Sequence, residues 1–212
     1  MREIWGIGTP RSFRPIWVCE ELDLEYQHHA IGPRTGETQA PAFTALNRKQ
    51  KIPFYRDKRV SLSESVAICR YLAHNFSNGQ LAVPGSPEAF AKEDEWCAYI
   101  YGEIDETGLY VMRRHRDLGA IYGEAPEVSA AAANYVSRHF KVIADWLVDE
   151  STLMPSGFGL ADILLMSCLD WSIAYGVALP PGLQGYYECH KKRPAYQRAM
   201  SINYPDLFGG DA

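Results

Sequence analysis

The sequence predicts an α/β domain followed by an all-α domain, and three observations carry this prediction. The first 77 residues alternate short strand-like and helix-like segments, whereas the pattern after residue 87 is helical throughout. A stretch rich in proline, glycine and serine lies between the two parts. The formal charge is −5 overall, but +3 over residues 1–77 and −8 over residues 78–212. We therefore expect domains at 1–77 and 87–212, joined by a linker at 78–86.

The first domain is expected to follow the order β-α-β-α-β-β-α. Its first strand is a short apolar run that Gly8-Thr9-Pro10 stops, and the first helix has apolar residues at helical spacing. The last two strands form a predicted hairpin around Asp57-Lys58. The expected strands are 3–7, 26–31, 52–56 and 59–62, and the expected helices are 13–24, 39–46 and 65–76.

The second domain shows helical periodicity interrupted by prolines, which are tolerated at helix ends but not inside helices. The most apolar stretch, 160–179, contains Asp162 and Asp170, so it predicts a buried helix and not a membrane span. The expected helices are 87–116, 126–150, 160–176, 183–191 and 194–201.

Composition limits the compartment and the partners. The net negative charge gives no support to a nucleic-acid partner. The first residues contain no continuous apolar run of the kind a signal peptide needs, and we expect no membrane partner. The five cysteines are odd in number and form no C-x-x-C pair, which favours reduced thiols in a core. These features predict a cytoplasmic protein. The six histidines are dispersed, so we expect no metal site.

Three segments of the first domain could carry chemistry, and the first two lie at 9–12 and 50–53. In Thr9-Pro10-Arg11-Ser12, a hydroxyl at the start of a helix could stabilise an anion, including a thiolate, although Thr9 or Ser12 could equally be a plain N-cap. In Gln50-Lys51-Ile52-Pro53, a cis proline would expose the backbone of Ile52 to a peptide-like ligand. An ordinary proline at the start of a strand is the alternative.

A third segment, Ser61-Leu62-Ser63-Glu64-Ser65, opens the predicted helix at 65–76. Structurally, Ser61 and Glu64 have the spacing of a capping box. Functionally, Ser65 at a helix start could hold a carboxylate while Glu64 holds an ammonium group. One site with both features suits an α-amino-acid moiety.

These segments, in this order, resemble the cytosolic glutathione transferases, of the bacterial type and the serine/threonine-hydroxyl branch. The resemblance covers nearly the whole chain and is strongest over residues 4–76. It rests on Trp5-Gly6 with Thr9 and Arg14, Glu20-Glu21-Leu22-x-Leu24-x-Tyr26, Gly36-Glu37 with Pro41-x-Phe43-x-x-Leu46-Asn47, Lys51-Ile52-Pro53, Leu62-x-Glu64-Ser65-x-Ala67-Ile68-x-x-Tyr71-Leu72-Ala73, Leu160-Ala161-Asp162-Ile163 and Arg193-Pro194-x-Tyr196.

The resemblance implies a thioredoxin-like first domain, a helical second domain, a homodimer, and glutathione as co-substrate without a metal. It implies that Thr9 donates a hydrogen bond to the glutathione sulfur, with Ser12 as the alternative donor. The same resemblance assigns the cysteinyl backbone to Ile52, before a cis Pro53. It assigns the γ-glutamyl end to Glu64 and Ser65, and the glycyl side to Gln50 and Lys51.

The implied activity is transfer of glutathione, as thiolate, to a small hydrophobic electrophile in detoxification. Alternatives on the same fold are a glutathione-dependent isomerase, dehalogenase or ether-cleaving enzyme, and a non-enzymatic binding or scaffold protein. Two departures from the family pattern are Gly159, where a capping hydroxyl is usual, and Arg48-Lys49-Gln50, which replaces a segment containing proline and glycine. The turn before the first helix contains no cysteine, which argues against thiol-transferase chemistry.

Overall fold

A computed structural model of the chain describes residues 1–147 and 151–208. Its contacts divide the chain into two compact units, one of residues 1–83 together with the segment that begins at Lys191, and one of residues 84–190. The sequence predicts a second domain from 87 to 212, whereas the contacts group the segment that begins at Lys191 with the first unit.

The first unit contains a four-stranded mixed sheet, in the order β2-β1-β3-β4. Strands β1 and β2 are parallel, whereas β1–β3 and β3–β4 are antiparallel. In the register, Ile4 lies opposite His28 on one side and Tyr55 on the other. The strands are β1 (Glu3–Trp5), β2 (Gln27–His29), β3 (Phe54–Arg56) and β4 (Ser61–Ser63).

Helices pack around this sheet in the predicted order, so the thioredoxin-like fold class is confirmed. The segment expected at 39–46 divides into a 3-10 turn and a short helix that begins at a proline. The helices of this part are α1 (Pro10–Glu21), the 3-10 turn (Glu37–Gln39), α2 (Pro41–Leu46) and α3 (Ser65–Phe76).

The C-terminal helices α10 (Pro194–Asn203) and α11 (Pro205–Phe208) follow in the same unit. Helix α10 packs against α1, where Tyr196 contacts the rings of Phe13 and Trp17 at centroid distances of 5.6 and 5.0 Å. The guanidinium of Arg193 adds a bidentate ion pair with Glu21, at 2.6 and 2.8 Å. This packing explains why α10 belongs with the α/β unit.

The second unit is helical, as predicted, but the long helix expected at 87–116 is not uniform. It consists of α4 (Pro87–Tyr99), a π-helical segment (Ile100–Leu109) and α5 (Tyr110–His115). Gly108 allows the π-helical segment to approach Val136, because a Cβ atom there would lie 2.3 Å from a Val136 methyl carbon. The other helices are α6 (Gly119–Tyr122), α7 (Pro126–Trp146), α8 (Leu160–Ala174) and α9 (Pro181–His190).

Asp162 organises the start of α8 from a fully buried position. Its carboxylate accepts hydrogen bonds from the backbone N–H groups of Leu153 and Gly159, at 2.8 and 2.9 Å, and from the Tyr186 hydroxyl at 2.7 Å. Burial raises the pKa of this carboxyl, and the three hydrogen bonds act against that rise. Although Gly159 lacks a capping hydroxyl, its N–H still completes the other half of the capping box.

The cysteine thiols follow the sequence pattern. Four of the five free cysteines are buried, and burial raises the pKa of Cys19 far above its usual range. Only Cys189 among them is exposed. No helix within the described ranges has the length and apolarity to span a membrane.

Asp57 closes the β3–β4 hairpin, and its environment makes the hairpin sensitive to acid. Burial acts to raise its pKa, but the backbone N–H groups of Arg59 and Val60 and the hydroxyls of Tyr55 and Tyr71 outweigh burial and lower it to about 2. An acid with a depressed folded-state pKa stabilises the fold above its unfolded pKa and loses that contribution as the pH falls.

We therefore expect Asp57→Asn to reduce the free energy of unfolding at neutral pH and to converge with the wild type as the pH falls below about 4 toward 2. Urea unfolding of both proteins across this range measures the difference. The exposed carboxylate variant Asp145→Asn serves as a control, since it should show no such convergence. A difference between wild type and Asp57→Asn that stays constant with pH would contradict the assignment.

Candidate functional site

The turn between β1 and α1 places two hydroxyls at the start of a helix. Thr9 is the N-cap: its Oγ1 accepts from the Ser12 N–H at 3.0 Å, and Ser12 Oγ accepts from the Thr9 N–H at 3.2 Å. The two hydroxyl oxygens lie 2.8 Å apart. Both side chains are buried, Ser12 completely and Thr9 with 6% of its surface exposed. Thr9 is thus both a cap and a hydroxyl at the positive end of a helix dipole.

Asn203, the last residue of α10, joins this turn from the far end of the sequence. Its side chain accepts from Ser12 Oγ at 2.8 Å and donates to the Thr9 carbonyl at 3.1 Å. Its own carbonyl accepts from the Gly8 N–H at 2.9 Å. Ser12 is therefore tied into the interior, and Asn203 is a site residue that the sequence did not reveal.

Gly6 brings the Ile52-Pro53 segment against the same turn. A Cβ atom at Gly6 would lie 3.0 Å from the Ile52 Cβ and 3.1 Å from the Ser12 Cβ. The φ angle of Gly6 is +131°, which glycine adopts readily and other residues rarely do. The Ile52–Pro53 peptide bond is cis, as the resemblance implied. Among the described residues, neither the N–H nor the C=O of Ile52 pairs with other backbone, so both can meet a ligand.

The residues before Ile52 are held by short-range hydrogen bonds. Gln50 has a φ of +53°, and its side-chain amide donates to the Thr44 hydroxyl at 3.1 Å. Buried Asn47 donates to the Lys51 carbonyl at 2.8 Å and accepts from the Lys49 N–H at 3.1 Å. With these bonds in place, Gln50 is half-buried and Lys51 is exposed. Both directly precede Ile52, whose backbone N–H and C=O are available to a ligand.

The third predicted segment lies where β4 passes into α3. The predicted capping box from Ser61 to Glu64 is wrong, because Ser61 lies within β4 and the N-cap of α3 is Glu64. Glu64 adopts φ +98° and ψ 115°, a backbone conformation that costs energy in a non-glycine residue. The first N–H bonded to this cap is that of Ile68, so the N–H groups of residues 65–67 lie at the open helix start.

Two cations contact this helix start. Completely buried Arg14 donates from Nη1 to the Ser65 hydroxyl at 3.3 Å, which joins α1 to the start of α3. Lys49 pairs with the Glu64 carboxylate at 2.5 Å, and more than half of each side chain is exposed. The sequence predicted Glu64 as a partner for an ammonium group, and the structure shows that a lysine ammonium can take this place.

Together these contacts bring the three predicted segments into one neighbourhood of the first unit. Ser12 and Ile52 meet at Gly6, Thr9 is bonded to Ser12, and Arg14 on the same helix contacts Ser65. This neighbourhood offers three features: the Thr9 hydroxyl at one helix start, the unpaired backbone of Ile52, and the Glu64 carboxylate beside a second helix start. Such a combination suits an extended peptide that has a terminal ammonium group and a carboxylate. Within residues 1–147 and 151–208, no group of three or more His, Cys, Asp or Glu side chains could hold a metal ion.

Comparison with known sequences matches this part of the chain to a family. Residues 3–74 match the model of the glutathione S-transferase N-terminal domain. The chain is 27% identical over 200 residues to a protein from Mus musculus named glutathione S-transferase theta-1, covering 92% of this chain and 80% of that protein. It is 28% identical to the Escherichia coli O157:H7 glutathione S-transferase GstA, covering 75% of this chain and 77% of that protein.

Solved structures extend the likeness over almost the whole chain. A theta class glutathione S-transferase from Xanthomonas axonopodis pv. citri, with glutathione bound, superposes with a TM-score of 0.79 at 26% identity, over 93% of this chain and 96% of that one. A glutathione transferase homolog from Lodderomyces elongisporus, with two glutathione molecules per subunit, gives 0.85 at 20% identity, over 95% and 98%. The chain therefore contains a match to the glutathione S-transferase N-terminal domain at residues 3–74 and is similar over most of its length to glutathione S-transferases.

Proposed function

We propose that this chain is an enzyme that binds glutathione on its first unit and transfers it, as thiolate, to a small electrophile. The observation that carries the proposal is that Gly6 lies against both Ile52 and Ser12, the partner of Thr9, while Arg14 links the same helix to the start of α3. A scaffold protein needs neither an open backbone edge nor a buried hydroxyl beside it. Relatives named as glutathione transferases, one of them solved with glutathione bound, support the choice of ligand.

The sulfur end is assigned to Thr9. A free thiol with a pKa of about 8.5 is mostly protonated at neutral pH. A hydroxyl that donates to the thiolate, at the positive end of the α1 dipole, favours the ionised form. Ser12 is the less suitable donor because its side chain is completely buried and bonded to Asn203. The serine/threonine-hydroxyl mode of activation therefore rests on Thr9.

The peptide end is assigned to the α3 start and to the cis-proline segment. The Glu64 carboxylate would take the ligand ammonium in place of Lys49, while the Ser65 hydroxyl and the N–H groups of residues 65–67 would hold the adjacent carboxylate. The cysteinyl backbone would pair with Ile52 as an added strand. Gln50 and Lys51 would face the glycyl side.

In the proposed reaction the thiolate sulfur forms a bond to an electrophilic alkyl or aryl carbon, and the leaving group departs with its bonding electron pair. The protein contributes the ionised nucleophile and its orientation. The reaction requires no metal. As in the family generally, the proposed assembly is a homodimer and the proposed role is detoxification.

Calorimetric titration with glutathione tests the binding site. We expect the wild type to bind and Glu64→Gln to bind about twofold to fivefold more weakly, since an exposed ion pair contributes up to about 1 kcal/mol. A glutathione analogue without the α-ammonium group should bind both proteins equally. Glu88→Gln, which removes an exposed carboxylate from the second unit, is the matched control. Failure of the wild type to bind glutathione would refute the proposed function.

A further inference from the structure

Lys49 and Glu64 form an ion pair at the start of α3, at the carboxylate where the proposed function places the ligand ammonium. The Lys49 Nζ lies 2.5 Å from Glu64 Oε1, and 51% and 59% of the two side chains are exposed. Within residues 1–147 and 151–208, no other group donates to this carboxylate. The position assigned to the ligand ammonium is therefore already taken by a cation of the protein itself.

Hydrogen bonds fix the loop that carries Lys49, so its ammonium stays within reach of Glu64. The side-chain oxygen of buried Asn47 accepts from the Lys49 N–H at 3.1 Å, and its amide nitrogen donates to the Lys51 carbonyl at 2.8 Å. The Gln50 N–H donates to the Asn47 carbonyl at 2.9 Å. A ligand at Glu64 consequently meets Lys49 as a fixed neighbour whose side chain alone can move.

The groups assigned to the ligand carboxylate do not depend on Lys49. The Ser65 hydroxyl is bonded to the guanidinium of completely buried Arg14 at 3.3 Å. The N–H groups of residues 65–67 lie at the open start of α3. A buried guanidinium and the positive end of a helix dipole both favour a bound carboxylate. Lys49 therefore bears on the ammonium of the ligand and not on the anchoring of its carboxylate.

A ligand ammonium meets Lys49 at Glu64 in one of two ways. Either it displaces Lys49, so that a new ion pair replaces an old one, or it binds the second carboxylate oxygen beside Lys49, where two like charges repel. Both ways reduce the free energy that the ammonium contributes to binding. A ligand without an ammonium group leaves the pair of Lys49 with Glu64 intact, so no unpaired carboxylate faces the carboxylate of that ligand.

We propose that Lys49 is a specificity-determining residue, because it competes with the ligand ammonium for Glu64. The inference rests on the proposed function. Lys49 narrows the preference of the site for a free α-ammonium group, so the thiol co-substrates of this chain include γ-glutamyl thiols whose α-amino group is absent or acylated. The exchange makes and breaks ion pairs only, and no covalent bond or proton changes place.

The test is the ratio of two dissociation constants, that of the glutathione analogue without the α-ammonium group over that of glutathione, both measured by calorimetric titration. Lys49→Met keeps an unbranched side chain of similar length and removes its charge. We expect this variant to raise the ratio by about twofold to fivefold, the contribution of one exposed ion pair. A Lys49 that merely attracted anions to the site would instead weaken the binding of both ligands when it is replaced.

Two comparisons isolate the route through Glu64. In Glu64→Gln, Lys49 has no carboxylate to hold it beside the ligand and turns into solvent, so the further change Lys49→Met should leave the ratio nearly unaltered. Lys58→Met removes an exposed cation from the turn before β4 and measures the general effect of a lost charge. This control should leave the ratio as in the wild type, because Lys58 precedes β4 and Glu64 follows it.

Ionic strength gives an independent measurement of the competition. In the wild type the ligand ammonium gains one ion pair while Lys49 loses another, so screening acts on both and the ratio should change little between about 0.02 and 0.5 M salt. In Lys49→Met the ammonium gains an ion pair and none is lost. The ratio for this variant should therefore fall toward the wild-type value as salt is added.

The outcomes separate the inference from the function on which it rests. If glutathione binds and Glu64→Gln lowers the ratio, but Lys49→Met leaves it unchanged or lowers it, the inference is wrong and the proposed function stands. The inference is also wrong, with the function intact, if the full effect of Lys49→Met persists in the Glu64→Gln background, if Lys58→Met raises the ratio as much, or if the wild-type ratio falls as steeply with salt. If the wild type binds no glutathione, or Glu64→Gln leaves the ratio unchanged, the proposed binding site fails and the inference with it.

Discussion

Replacement of Thr9 by valine is expected to raise the pKa of bound glutathione by about one to two, and to lower kcat/KM by about eightfold to twenty-five-fold at pH 7, in proportion to the lost thiolate. A hydrogen bond to a charged group contributes about 1.5–3 kcal/mol, and one pKa unit corresponds to about 1.4 kcal/mol. Valine keeps the shape of threonine and removes the donor. The loss in kcat/KM should disappear above about pH 10, where the thiolate forms unaided. Initial rates with an aryl halide across the pH range measure this profile.

Two variants separate the lost donor from the lost helix cap. Thr9→Ser retains the hydroxyl and should keep both the activity and the pH profile. Ser86→Ala removes the N-cap of α4, where the Ser86 hydroxyl accepts from the Ala89 N–H at 3.2 Å. It should reduce stability by about 1 kcal/mol without changing the profile. Equal pH profiles for wild type and Thr9→Val, with a shifted profile for Ser12→Ala, would assign the donor to Ser12 instead.

Replacement of Asp162 by alanine is expected to cost the largest amount of stability, about 3 kcal/mol or more, because it leaves three buried donors without their acceptor. These donors are the N–H groups of Leu153 and Gly159 and the Tyr186 hydroxyl. For a chain of this size the loss corresponds to a Tm lower by about 6–12 °C. Calorimetric unfolding measures it.

Asp145→Ala is the matched control for this variant, because it removes an exposed carboxylate from the same unit. Its Tm should stay close to that of the wild type. A Tm for Asp162→Ala within about 2 °C of the control would show that α8 does not depend on the buried carboxylate. The thiol pKa of bound glutathione should be unchanged in folded Asp162→Ala, since Asp162 belongs to the second unit and the Thr9 turn to the first.

The order of elements in the first unit could be predicted from sequence because each short segment has its own signal. The apolar run at β1 ends at glycine, threonine and proline, and α3 begins and ends where its periodicity does. Element ends were less predictable, since β1 and β2 end where their pairing ends and not where their apolar residues end. The π-helical segment at Ile100–Leu109 packs closely at Gly108, and the spacing of apolar residues in the sequence does not indicate such a contact.

Site residues could be predicted where their role shows in the neighbouring sequence, and could not be predicted where it depends on contact with residues far away in the sequence. Thr9 and Ile52-Pro53 stand out because a hydroxyl before a helix and a proline before a strand have recognisable sequence contexts. Asn203 is separated from Ser12 by 191 positions and lies in an unrelated helix, so only the fold brings them together. The pair of Lys49 with Glu64 joins a loop to a helix start in the same way. Ser61, in contrast, has the right spacing for a cap but is held in β4 by pairing with Arg56.

The proposed ionisation of glutathione by the Thr9 hydroxyl is tested most directly by a pH titration of thiolate absorbance for glutathione bound to the wild type. The result we predict is a single titration with a pKa about one to two below the value of about 8.5 for a free thiol, shifted back toward that value in Thr9→Val. Bound glutathione that titrates like the free thiol in both proteins would contradict the account.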